Sequence, residues 1–221
     1  PNLYADGAGN LDKSFGWLAD EVPRPPTIGS SLLFRRHDLW LGSKTLSTLH
    51  FDNYENLFAQ LVGEKEFLLC PPGDTPQLVE GRLRKAYAMW KAEGDTQGTF
   101  ERTADGLSEE AVLNYAVYDV DAPGDAYAER ARKLRRTTVR VRPGEVLYLP
   151  FGWWHQVRAI PAENGLCASV ASFFEPFFVR LQPKALAKPG PLLPNPKYRK
   201  ICERLGLGDS SDEEEDAQKQ T

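Results

Sequence analysis

From about Leu32 the chain breaks into short runs rich in Val, Leu, Phe and Trp, separated by Gly, Pro or Asn. Their alternation predicts strands over residues 32–35, 38–41, 45–51, 56–62, 65–70, 137–142, 145–149, 154–159 and 166–174. The run "LVGEKEF" reads as a hairpin with Gly63 and Glu64 at its tip. Residues 71–134 form a long insert. In it "VEGRLRKAYAMWKAEG" has helical spacing, and "NYAVYDVDAPGDAYAERARKLRR" starts like a strand and ends as a polar helix. Many short strands with turn signals between them predict a sandwich or small barrel.

The flanks are patterned differently. In residues 1–30, "GNLDKSFGWLAD" predicts a short helix capped by Asn10 or Asp12, and "EVPRPPTIG" is an arm broken by prolines. After Phe174, proline-rich connections lead to a short helix in "PKYRKICERLGL". The expected organisation is an N-terminal arm over 1–30, truncated since the chain starts at Pro1, and a β domain over 31–180. A C-terminal segment over 181–208 and a disordered acidic tail over 209–221 follow.

Composition changes the picture in two ways. The net charge of −4 is an average over unlike parts. The last 13 residues, "DSSDEEEDAQKQT", hold six acids and one lysine, which leaves 26 basic and 25 acidic residues in the body. The body is therefore near neutral, and its acidic appendage reads as a solubilising tail or, at Ser210 and Ser211, a site for an acid-directed kinase. The 3 cysteines are an odd number without ligand spacing, which argues against a disulfide scaffold and fits a reducing compartment, cytoplasmic or nuclear. No apolar run approaches the roughly 20 residues of a membrane helix, so no membrane partner is expected.

Candidate chemistry begins in "LHFDNYEN". On a strand, residues i and i+2 share a face, so His50 and Asp52 project together with Cβ atoms roughly 6–7 Å apart. His155, in "GEVLYLPFGWWHQV", is a third candidate ligand on another predicted strand. Two imidazoles and a carboxylate on one face, with open positions beyond, suit non-haem Fe(II). The residues alone also allow a chance surface pair and a core histidine among tryptophans. His37 and Asp38 are adjacent, face opposite sides of a strand and make a poorer pair. Lys65 alternates in phase with Phe67 and Leu69. It is either an interior ammonium in need of an anion or a hairpin-tip lysine reaching water.

Taken together, "LWLG", "TLHFDNYENLFAQLVGEKEFLLCPP" and "RPGEVLYLPFGWWHQV" resemble the JmjC-domain 2-oxoglutarate oxygenases, and within them the small lysyl-hydroxylase type. The likeness runs from about Leu39 to Phe174. It implies a mainly β fold, a double-stranded β-helix (the cupin or JmjC barrel) with flanking helices. By position, His50, Asp52 and His155 match the Fe(II) ligands. Lys65 matches the lysine that pairs with the far carboxylate of 2-oxoglutarate, and Asn56 a polar residue of that pocket. Ser47 matches a hydroxyl that helps hold the same carboxylate. Strict alternation would put Thr48 on the His50 face instead, unless a bulge intervenes. Where relatives carry an asparagine in the last strand, this chain has Ala171 and Ser172.

The activity implied is hydroxylation of a protein side chain, foremost lysine, with 2-oxoglutarate and O₂ consumed: a hydrogen atom is abstracted and a hydroxyl returned. A translation-associated GTPase is the implied kind of partner, and a homodimer through C-terminal helices the implied assembly. Lysine demethylation, tRNA modification and a non-catalytic cupin-like binding module are the alternatives. "ERARKLRRTTVRVR" packs seven basic residues between Arg130 and Arg142, which reads as a solvated face ahead of an RNA-binding one. Phe151, Trp153, Trp154 and Phe173 are the aromatics expected to wall a dry site or fill the core.

Overall fold

The computed structural model describes residues 32–78, 83–94, 97–112, 114–180 and 192–199. The N-terminal arm and the acidic tail lie outside these residues. So does most of "PKYRKICERLGL", of which 196–199 are helical. The chain divides into two compact units, Pro1–Phe174 and Glu175–Thr221.

The first unit is built on two antiparallel four-stranded sheets. One has the order β1 (Phe34–Gly42), β10 (Cys167–Phe174), β3 (Glu55–Val62), β8 (Val146–Leu149). The other has the order β2 (Leu46–Phe51), β9 (Trp154–Ile160), β4 (Glu64–Cys70), β7 (Thr137–Val141). The chain changes sheet at almost every turn, which is the winding of a double-stranded β-helix.

Side-chain pattern explains the layering. On β4 the odd residues Lys65, Phe67 and Leu69 point between the sheets, level with Val141, Val139 and Thr137 on β7. Its even residues point outward, where Glu66 lies between Arg140 and Arg158 and pairs with both, at 3.2 and 4.0 Å. Apolar residues inside and opposite charges across the outer rungs fix the register, because a slip of one residue would invert both. β10 is buried along its whole length, and its small residues Ala168, Ser169, Ala171 and Ser172 let both faces be covered.

Two clusters of side chains result. One lies between the sheets and includes Phe58, Phe67, Leu69, Val141, Leu149, Ala171 and Phe173. The other covers the outer face of the second sheet: Leu49, Phe51, Cys70 and Trp154 pack against Leu78, Tyr118, Val120, Ala131 and Leu134. These partners come from α1 (Thr75–Leu78), α2 (Gly124–Arg132) and the segment between 114 and 136. Trp154 is fully buried there, and its indole N–H donates to Thr75 Oγ1 at 2.9 Å. It therefore does not wall the interior.

Two expectations are corrected. β3 and β4 are not a hairpin: they lie in different sheets, and Gly63 carries the chain between them with φ +68°. A Cβ at Gly63 would lie 2.6 Å from the Ile160 carbonyl oxygen, so this crossing requires glycine on two counts. Residues 83–92 are not helical. They form β5 (Leu83–Ala92), paired with β6 (Gly98–Val112) in a separate two-stranded sheet. The predicted strands 32–35 and 38–41 are one strand, β1, with a register irregularity between Phe34 and Arg36.

In the second unit, β11 (Phe178–Arg180) pairs with β12 (Leu192–Pro194), and Asn195 Nδ2 donates to the Pro176 carbonyl at 2.8 Å. No helix among the described residues is long and apolar enough to cross a membrane.

Candidate metal centre

The sheets bring together the residues that the chain holds far apart. His50 on β2 pairs across the ladder with His155 on β9, and Asp52 follows directly after β2. One ligand atom from each of the three lies within 4.8 Å of the others. The His155 Nε2 to Asp52 Oδ2 distance is 3.7 Å, and the two imidazoles are 4.3 Å apart between centroids. The turn before His155 is tied to the strand end that carries Asp52: Gly152 N donates to the Asp52 carbonyl at 3.0 Å. Glu55, at the start of β3, accepts from Tyr148 Oη at 2.8 Å and from Phe151 N at 3.1 Å and so steadies the same turn.

Each imidazole is set in one tautomer. Nδ1 of His50 donates to the Thr48 carbonyl at 2.7 Å, and Nδ1 of His155 to the Trp153 carbonyl at 3.0 Å. Nε2 of both rings is left with its lone pair, the arrangement a metal ligand needs. Burial, and secondly the neighbouring His50, pushes the His155 imidazole down to about 4, against the pull of Asp52. His155 is thus neutral at pH 7, with no proton competing for a metal.

A cavity of about 210 Å³ opens between the sheets from this cluster. Ser47, Asn56 and Lys65 all line it, together with Phe58, Phe67 and Leu149. The question of Ser47 against Thr48 is settled by the ladder. Ser47 pairs with Val157 and His50 with His155, so three steps on β2 match two on β9. The bulge puts Ser47 and His50 on one face. Lys65 is only 7% exposed, so it is interior rather than at a tip reaching water. Burial lowers its ammonium below the usual lysine range. Among the described residues no carboxylate pairs with it, and Asn56 Oδ1 is buried without a hydrogen-bond partner.

Other cavity residues were not singled out from the sequence. Arg36, Asp38 and Trp40 alternate along the inner face of β1. Arg36 Nε donates to both Asp38 oxygens, at 3.0 and 3.3 Å, and its guanidinium lies over the rings of Tyr54 and Phe173 at 4.9 and 4.5 Å. Burial raises the Asp38 carboxyl, Arg36 counters it, and Asp52 adds a smaller upward push. Tyr115 stacks on His50 at 4.9 Å and 13°. It is held by a strand-like contact in which Phe51 N donates to the Asn114 carbonyl and Ala116 N to the Leu49 carbonyl. The signal was available for β1, where Arg36, Asp38 and Trp40 share a period of two. Nothing local in the sequence marks Tyr115.

His37 faces away, with Nδ1 2.9 Å from Ser172 Oγ, as its adjacency to Asp38 required. Ala171 lines the cavity where relatives were expected to carry asparagine. Of the four expected wall aromatics Phe173 alone lines the cavity, while Trp153 packs against the inner cluster. The basic stretch is largely paired: Arg135 with Asp74 at 2.8 Å, Lys133 with Glu129 at 2.8 Å, and Arg140 with Glu64 and Glu66.

A fold of two four-stranded sheets with a His-Asp-His cluster at the end of the cavity between them defines a cupin-type protein with a candidate metal site. A family model described as a cupin-like domain matches residues 3–180, and the chain belongs to that family, in its JmjC branch. It is 33% identical over 165 residues to the bifunctional peptidase and (3S)-lysyl hydroxylase JMJD7 of Homo sapiens, covering 72% of this chain and 45% of that protein. It is 30% identical over 148 residues to the lysine-specific demethylase JMJ32 of Arabidopsis thaliana, covering 62% and 41%. HSPB1-associated protein 1 of Bos taurus is 32% identical over 139 residues, covering 62% and 23%. The chain spans less than half the length of these relatives.

Proposed function

We propose that the protein is an Fe(II)- and 2-oxoglutarate-dependent dioxygenase that hydroxylates a protein side chain, lysine foremost. One observation carries the reading: His50, Asp52 and His155 converge at the end of a cavity whose wall holds a buried lysine with no carboxylate partner among the described residues. The donor set fits the metal, since two imidazoles and a carboxylate suit Fe(II) and include no thiolate. The pocket fits the cosubstrate, since a dicarboxylate would satisfy Lys65 and an otherwise unpartnered Asn56. Two of the relatives are named for acting on lysine, which favours that side chain as the target.

In this reading His50, Asp52 and His155 would hold the iron. Bound iron and 2-oxoglutarate together supply O₂ activation and the oxidation of an unactivated C–H bond. The protein supplies the rest. Lys65 and Ser47 bind the far carboxylate, and Asn56 orients the chain of the cosubstrate. Phe58, Phe67, Leu149 and Phe173 keep water from the reacting centre, which strengthens each charge–charge contact there. The carbonyls of Thr48 and Trp153 hold the ligand rings at their Nδ1 protons throughout.

The test is turnover with Fe(II), 2-oxoglutarate and candidate lysine peptides. Succinate release with one oxygen added to a peptide lysine, and loss of both in His50→Ala, supports the proposal. Formaldehyde release from methyl-lysine peptides would make the protein a demethylase, and oxygen on a nucleoside would make it an RNA enzyme. No succinate under any of these conditions would reduce it to a binding module.

A further inference from the structure

The charged pair on the inner face of β1 is left over once metal and cosubstrate are assigned. Asp38 is 2% exposed, yet it lines the cavity. It pairs across the ladder with Ala171, which lines the same cavity. Only one N–H, Arg36 Nε, reaches it among the described residues, although a carboxylate has about four acceptor positions. Arg36 in turn is fixed by Tyr54 and Phe173, so the pair is held in place before any ligand arrives. Two residues along the same face stands Trp40, and Tyr115, stacked on His50, lines the same cavity.

A purely structural ion pair would gain little from this position. Buried pairs are commonly no more stabilising than apolar residues of the same volume, and here apolar neighbours are plentiful. A fixed carboxylate with spare acceptor capacity, flanked by aromatic rings, is instead a receptor for an alkylammonium group.

We propose that Asp38, with Trp40 and Tyr115 in the same cavity wall, is a specificity-determining subsite that receives the ε-ammonium of the substrate lysine. This rests on the lysine reading above and deepens it. Asp38 accepts from the ammonium, the rings pack against the methylene stem, and the stem is thereby presented to the metal centre. Arg36 acts as a positioning residue that keeps the carboxylate charged and oriented.

The test compares two ligands of the same length, Nα-acetyl-lysine methylamide and the Nα-acetyl methylamide of 2-aminoheptanoic acid, in which a methyl replaces the ammonium. Binding is followed by saturation-transfer NMR on the full chain loaded with Zn(II) and N-oxalylglycine, and again without either. The lysine ligand should bind about tenfold or more tightly than the aminoheptanoic acid ligand, and Asp38→Asn should erase that preference. Equal binding of the two ligands by the unmodified protein overturns the proposal, whatever the variant does. So does a preference that survives in a folded Asp38→Asn. Absence of succinate formation would sink the oxygenase reading and leave this comparison readable.

Discussion

Replacing Lys65 by methionine should make the ligand-free protein more stable and at the same time cost it its cosubstrate. Lys65 is 7% exposed with no carboxylate against it among the described residues, and methionine, one atom shorter, keeps an unbranched apolar stem. Burial of an ammonium without a counter-charge costs several kcal/mol at the limit, of which relaxation leaves roughly 1–3 kcal/mol. In a chain of this size each kcal/mol moves the melting midpoint by roughly 2–4 °C, so Lys65→Met should melt about 2–12 °C higher without ligand. Ligand reverses the order. At a hundredfold excess over Kd, 2-oxoglutarate with Mn(II) stabilises the unmodified protein by about 2.7 kcal/mol. Losing a charge-assisted contact of about 1.5–3 kcal/mol leaves the variant only about 0.3–1.3 kcal/mol at the same concentration. The pH dependence has a definite sign. Burial holds the folded-state ammonium below its ordinary 10.5, so between that lowered value and 10.5 the unfolded chain binds more protons. Ligand-free stability of the unmodified protein therefore rises with pH across that window, and Lys65→Met lacks the rise. Calorimetric or fluorescence melts at two pH values, with and without ligand, read all of this. A variant less stable than the parent without ligand would show that Lys65 has an internal partner, and an undiminished ligand shift would place the carboxylate elsewhere.

Further expectations follow from single contacts. Ser47→Ala should raise the KM for 2-oxoglutarate about tenfold or more, while Thr48→Ala, off the cavity face at the bulge, should leave it near the parent value in a succinate assay. Gly63→Ala should lose at least about 2 kcal/mol in urea titration, since left-handed backbone and a clash with the Ile160 carbonyl add. Gly165→Ala, at φ +79° with nothing within 4 Å of the new Cβ, should lose only about 1 kcal/mol in the same titration. Trp154→Phe should be destabilised by about 1–3 kcal/mol through the lost indole–Thr75 hydrogen bond and lost packing, with metal affinity by Mn(II) EPR unchanged.

Most of the β framework could be read from alternation, because each strand buries one face and exposes the other. β4 shows why: Lys65, Phe67 and Leu69 face in while Glu64 and Glu66 meet Arg140 outside. Pairing could not be read the same way. Gly63 between two good strands looks like any hairpin tip, and only the second sheet on its far side makes it a crossing. Residues 83–92 carry an apolar spacing that suits a helix, and their register with β6, set by residues further along the chain, overrides it. At the site, the three ligands and Lys65 stood out because their residue types are costly to bury or rare. Arg36 and Asp38 did not, since a charged pair on a short strand resembles an ordinary surface. Tyr115 was invisible because a backbone bridge from the insert, rather than any local pattern, lays it on His50.

The central claim is that His50, Asp52 and His155 share one ferrous ion and leave it open to 2-oxoglutarate. Anaerobic titration with Fe(II) and then 2-oxoglutarate, followed by visible absorption, tests it directly. A charge-transfer band should grow to one equivalent of iron in the unmodified protein and be missing in His155→Ala. A band of equal strength in both, or none in the unmodified protein despite bound iron, would contradict it.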